Sequence, residues 1–148
     1  MTSHNSQACA TFDDFERLMI GKPYVDRCCH IDAVDCWGLV VLCYRMCFGI
    51  NVHHNDDYDN GSQFATCFDG EVVFWQETDN PEQGDIVVAF RGNVPAHIAL
   101  VWGRDKILHA REKTAVRFDR LRTLDRLSTQ IRFYKYASDS HSETARNT

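Results

Sequence analysis

The sequence predicts an α+β domain in which one buried helix packs on an antiparallel sheet of about five to six strands, and three observations predict it. Apolar residues recur at helical spacing early in the chain, first at Phe12, Phe15, Leu18 and Met19, then at Leu39, Val40, Leu42, Cys43, Met46 and Cys47. The second of these segments carries Arg45 as its one charge, and a helix apolar on nearly every side belongs inside the molecule. Beyond Gly70 the period falls to that of a strand, and β-branched and aromatic residues take over. Helices first and strands afterwards describe an α+β order, not alternating units around a parallel sheet.

Each element has a local cause. Thr11 reads as an N-cap with Asp14 at the third position after it, which starts a helix running to about residue 20. Gly21-Lys22-Pro23 ends it, because proline lets no regular helix continue, and Tyr24 follows in extended chain. Residues 26–32 are expected to form a loop ahead of the central helix, which spans about 35–48 and takes its C-terminal cap from Gly49. The polar, turn-rich segment 51–61 leads to a short helix expected at 64–68. Strands are expected at 71–77, 85–90, 96–102, 106–110, 114–118 and 130–136, with a helical turn over 121–127. Residues 1–137 thus make one domain whose first ten residues are polar and loose. The Ser-, Thr-, Asp- and Asn-rich segment 138–148 is expected to be a disordered tail.

Composition narrows the functions. A net charge of -5, from 16 Lys and Arg against 21 Asp and Glu, argues against a protein that lives on nucleic acid or on an anionic membrane surface. No apolar run approaches the roughly 18 residues of a membrane helix. The start, Met1-Thr2-Ser3-His4-Asn5-Ser6, lacks the charged and apolar regions of a signal peptide, so the expectation is a cytosolic chain with no export signal of its own. The seven cysteines are odd in number and irregularly spaced, with Cys28 and Cys29 adjacent, which argues against a complete disulfide framework.

One cysteine stands where a polar loop turns into the apolar helix. At Cys36 a helix start would aim unpaired backbone N–H groups and the positive end of the macrodipole at the sulfur, stabilising a thiolate and setting an oxyanion donor beside it. Cys43 and Cys47, on the same stripe, read instead as small core residues. A thiol nucleophile needs a base, and the base needs an orienting partner. His97 and His109, on adjacent expected strands, supply both. With Trp102 opposite Lys106, His97 falls opposite Arg111 and diagonal to His109 on one sheet face, about 7 Å apart at Cβ. A connection of the other parity would put the two rings on opposite faces.

Five motifs then occur in a fixed order: Gly21-Lys22-Pro23-Tyr24, Asp35-Cys36-Trp37-Gly38-Leu39-Val40, Gly84-Asp85-Ile86-Val87, His97-Ile98-Ala99-Leu100-Val101 and Ile107-Leu108-His109-Ala110. In that order and spacing, over about residues 12–136, the sequence resembles the NlpC-like cell-wall cysteine peptidases, and most nearly their short members encoded in phage tail gene clusters. The resemblance implies a papain-like fold that cuts peptidoglycan stem peptides beside D-glutamate and a diamino acid, without metal or cofactor. It implies other phage tail-tip proteins as partners, and the virion, or the host cytoplasm during assembly, as the place of action. It also implies roles. Cys36 would be the nucleophile, His97 the base, His109 its orienting partner, and Tyr24, twelve residues before the nucleophile, a hydroxyl donor to the oxyanion. Asp35 would bind the free amine of the stem peptide, and Trp37, which stands where many members carry a substrate-binding serine, would take that serine's place against substrate. Cys28-Cys29-His30 replaces a loop usually rich in Gly and Asp, which changes one wall of the cleft.

Three rival readings are weighed against this one. A zinc module could draw on Cys28, Cys29, His30 and Cys36 with His53 or His54, but paired zinc-type spacing is absent. A structural or assembly protein of the tail tip could keep the fold without cutting. An acyltransferase on the same scaffold would want an apolar acyl channel that the sequence does not display.

Overall fold

The computed structural model describes residues 10–52 and 74–137. The helix expected at 64–68, the opening of the strand expected at 71–77, the loose first nine residues and the tail 138–148 therefore lie outside the described residues.

Helix α1, Phe12–Met19, starts where the capping pattern set it. The Thr11 hydroxyl accepts from the Asp14 N–H at 3.0 Å, and the Asp14 carboxylate accepts from the Thr11 N–H at 3.3 Å. Both orphan donors are thereby satisfied. Phe15 and Met19, one turn apart, are its buried residues. The expected loop over 26–32 contains instead a two-stranded hairpin, β1 (Cys29–His30) with β2 (Ala33–Val34), because backbone groups this close to a buried helix start must find partners.

Helix α2, Cys36–Cys43, is buried at every residue and continues into a π-helical turn over Tyr44–Phe48. Gly49 closes it in the left-handed conformation, φ 67°, which a side chain would oppose. Gly38 has a different reason to be glycine. A Cβ there would lie 2.1 Å from the Cys28 carbonyl oxygen, so the chain just before β1 rests directly on the first turn of α2.

Six antiparallel strands follow: β3 (Trp75–Glu77), β4 (Ile86–Arg91), β5 (Val94–Gly103), β6 (Lys106–Ala110), β7 (Val116–Asp119) and β8 (Gln130–Tyr136), with helix α3 (Leu121–Arg126) ahead of β8. Their order across the sheet is β3-β8-β4-β5-β6-β7. The expected strands recur with ends shifted by a residue or two. The parity of the β5–β6 connection, on which the histidine pair depends, is met in an unforeseen way. Gly103 pairs Lys106 across a two-residue turn, but a bulge at Trp102 resets the register to Val101 opposite Ile107 and Leu100 opposite Leu108.

Both faces of the sheet are covered. Ile86, Val88, Ile98, Leu100 and Leu108 pack under α1 and α2, whereas Val87, Ala89, Ala99, Val101 and Ile107 face Leu124 of α3. This matches the expected α+β class, with the cysteine helix laid on an antiparallel sheet. A methyl group at Gly38 must displace the Cys28 carbonyl. Gly38→Ala should therefore lower stability by about 1–3 kcal/mol, read as an earlier midpoint in urea unfolding.

Candidate active site

The site is built from the start of α2 outward. Asp35 is the N-cap, with Oδ1 accepting the Gly38 N–H at 2.7 Å and Oδ2 accepting the Arg27 N–H at 2.9 Å. Only 4% of its surface is exposed, and burial raises its pKa from 3.8 to about 6 against the pull of those N–H groups. Cys36 comes next, 8% exposed. The backbone of Ile98, Trp37 and Cys36 itself acts to lower the pKa of the thiol, yet burial, followed by the negative charge of Asp35, pushes it from 9.0 up to about 12. A helix start was expected to hold a thiolate. Desolvation outweighs it, and the resting group is a neutral thiol.

Tyr24 reaches the same place from extended chain, where Pro23 pairs Ala115 and Tyr24 pairs Val34. Its phenol is raised well above its ordinary value, first by burial and then by Cys36 and Asp35, so it stays a proton donor. Trp37 has no exposed surface at all. The expectation that it touches substrate is corrected on that ground: its side chain turns into the core beneath the helix. Asp35 keeps its expected place beside Cys36, with one carboxylate oxygen capping the helix and the other accepting from the preceding loop.

His97 and His109 lie on one face of the sheet, as the register argument requires, with His97 Nε2 and His109 Nδ1 2.9 Å apart. A residue absent from the expected set completes the row. His109 Nε2 lies 2.7 Å from Asp119 Oδ2 on β7, and the Arg117 guanidinium holds the same carboxylate at 3.3 Å. Asp119 sits two places along β7 from the direct partner of His109, which is Arg117, a diagonal that becomes visible only when β6 and β7 are paired. The expected strand 114–118 stopped one residue short of it.

These bonds assign the protons. A carboxylate can only accept, so His109 carries its proton on Nε2 and offers a bare Nδ1 to His97. His97 then donates from Nε2, which leaves its Nδ1 lone pair free to act as a base. Burial holds both rings neutral, lowering His97 to about 3 with the charges of His109 and Arg111 adding to the effect. Among the described residues no hydrogen bond joins Cys36 to His97. Ile98, whose backbone acts on the Cys36 thiol, is the neighbour of His97 in the chain. Nor do Cys28, Cys29, His30 and Cys36 form a three-ligand cluster among the described residues; His53 and His54 lie outside them.

The NlpC/P60 family model matches residues 21–133, which span the whole of this arrangement. The chain belongs to the NlpC/P60 family. Solved structures share the fold at low identity. NlpC1 from Trichomonas vaginalis is 17% identical, with a TM-score of 0.55, over 84% of this chain and 41% of its own. The NlpC/p60 domain of peptidoglycan hydrolase SagA is 15% identical, with a TM-score of 0.54, over 81% and 90%. An NlpC/P60 family protein from Bacillus cereus ATCC 10987 is 18% identical, with a TM-score of 0.65, over 93% and 44%. The chain thus spans less than half the length of the Trichomonas and Bacillus proteins. No curated protein matches the sequence.

Two measurements check the site. Because the thiol is raised, its thiolate fraction is small at neutral pH and grows tenfold per pH unit, so alkylation of Cys36 by iodoacetamide should climb without a plateau from pH 6 to pH 9. A plateau below pH 8 would reveal a resting thiolate–imidazolium pair instead. Replacing Asp119 by Ala should release the tautomer lock, so nitrogen NMR should find the bare Nδ1 of His97 exchanging between protonation sites, while Arg117→Ala leaves it fixed.

Proposed function

We propose that this NlpC/P60 protein is a thiol endopeptidase that cuts amide bonds in peptidoglycan stem peptides, beside D-glutamate and a diamino acid. The observation that carries the reading is the row His97, His109, Asp119, which fixes the tautomer of His97 from behind, in a chain whose Cys36 stands at a helix start. Chemistry then runs in two stages. With substrate bound, His97 Nδ1 takes the S–H proton, and sulfur bonds to the carbonyl carbon. The Cys36 N–H and the Tyr24 hydroxyl steady the oxyanion, the C–N bond breaks, and His97 returns the proton to the leaving amine. Water, deprotonated by His97, hydrolyses the thioester and regenerates the thiol. Neither metal nor cofactor takes part. Asp35 acts on this reading as the cap that sets the nucleophile, and its charge favours the ammonium of a stem peptide close by.

The phage tail is the setting we propose. The support is the likeness of Asp35-Cys36-Trp37-Gly38 to short tail-encoded members, and it makes other tail-tip proteins the partners. A second reading, a tail-tip assembly protein that keeps the fold, draws on the 8% exposure of Cys36 and the absent Cys36–His97 bond.

Mass spectrometry of purified muropeptides separates the two. Cleavage should be lost in Cys36→Ala, slowed roughly 100-fold or more in His109→Ala, and unaffected by EDTA or by Cys28→Ser with Cys29→Ser. Unchanged muropeptides with the unaltered protein would leave the assembly reading, and loss of cleavage in EDTA would overturn the thiol mechanism. Proteomics of purified virions tests the setting, with the chain expected among the tail proteins.

A further inference from the structure

Charge is unevenly placed along the chain. Residues 104–126 carry eight Lys and Arg against four Asp and Glu, in a protein whose net charge is -5, and the fold brings three of those cations together. They meet at a groove of about 670 Å³ where the β5–β6 turn approaches the β7–α3 connection, lined by Arg104, Asp105, Lys106, Phe118, Asp119 and Arg120. Asp105, left-handed at φ 52°, accepts the Arg122 backbone N–H at 3.1 Å and its guanidinium at 3.2 Å, and its carbonyl accepts the Leu121 N–H at 3.3 Å. The turn is thereby tied to the start of α3. Asp119 already serves His109 and Arg117, so both carboxylates of the groove are committed. No ion pair among the described residues uses Arg104, Lys106 or Arg120, and all three are exposed. Lys106 Nζ lies 4.1 Å from the centre of the Phe118 ring, a contact that orders the ammonium without neutralising it.

Three like charges held at one groove repel one another, and a polyvalent anion removes that repulsion. A small anion at so exposed a surface is screened by salt, whereas a polymer engages every cation at once and releases their counterions together. Guanidinium forks match phosphate with two-point geometry. A nucleic acid would also want a ring on which a base can stack, and the groove's one ring, Phe118, packs on the core with Lys106 over it. We propose that this groove binds a phosphate-bearing polymer of the cell wall, a chain of phosphodiesters between small polyols, and so anchors the domain beside its peptide substrate. The choice of polymer rests on the peptidoglycan reading, which places the chain where a wall polyanion is within reach.

The test is binding, and it needs no turnover. Fluorescently labelled poly(glycerol phosphate), titrated into the unaltered protein, should bind with an affinity that falls as salt rises. Arg104→Gln with Arg120→Gln should weaken that binding about tenfold or more, and should flatten the slope of log Kd against log salt by about 0.7 for each cation removed. Arg45→Gln, exposed on the π-helical turn, should change neither quantity, and the double variant should cut soluble muropeptides as the unaltered protein does. Absence of binding, or the same loss in Arg45→Gln, overturns the proposal. So does single-stranded DNA or polyglutamate of matched charge that binds as tightly, since the surface would then belong to a nucleic acid or an acidic protein. Slower cleavage of soluble muropeptides by the double variant would make the groove a substrate contact and overturn the anchor. Polymer binding by a protein that cuts no muropeptide keeps the groove and removes the peptidase reading.

Discussion

One buried carboxylate sets the geometry on which the site depends. Asp35 accepts the Gly38 N–H with one oxygen and the Arg27 N–H with the other, so it fixes the first turn of α2 and the preceding loop to each other. From that anchor the chain before β1 settles against Gly38, Cys36 takes the first helical position, and Tyr24 approaches through its pairing with Val34. The same charge acts on the chemistry. It adds to the burial that raises both the Cys36 thiol and the Tyr24 phenol, keeping each protonated. The anchor also carries a pH cost. A group raised from 3.8 to about 6 contributes its stability below pH 3.8 and loses it as pH rises through about 6.

A neutral thiol and neutral imidazoles are what burial leaves at rest. Desolvation dominates Cys36, His97 and His109 alike, and it favours the uncharged form of each. What remains is direction. Asp119 fixes the proton of His109, His109 fixes that of His97, and a lone pair is left on His97 Nδ1. The row crosses three neighbouring strands, β5, β6 and β7, so its spacing is that of the sheet itself. Rigid strands hold the imidazoles while α2 holds the thiol.

Much of this was legible in the sequence because it is local. The Thr11–Asp14 capping box, the helix that begins at Cys36, the Gly49 terminus and the shift from helical to strand period are written in neighbouring residues, and the structure has each of them. The pairing of His97 with His109 could be argued from strand alternation alone. Motif order reached further than periodicity, since it pointed to the family whose model covers residues 21–133.

Tertiary structure decided the rest, through two physical effects that no short stretch encodes. The first is strand register. Asp119 joins the row only because β6 pairs with β7, and the histidines share a face only because a bulge at Trp102 corrects a two-residue turn. The second is burial. Whether Trp37 faces substrate or core, and whether Cys36 rests as thiol or thiolate, depends on how many atoms from distant segments pack around it. A helix start promises a thiolate, and the sheet beneath it removes the water that a thiolate needs. The sequence by itself determined the local starts, the cap ahead of Cys36 and the strands that carry His97 and His109; the packed sheet determined the protonation and the partners of these side chains, because desolvation and pairing are properties of contacts made across the chain.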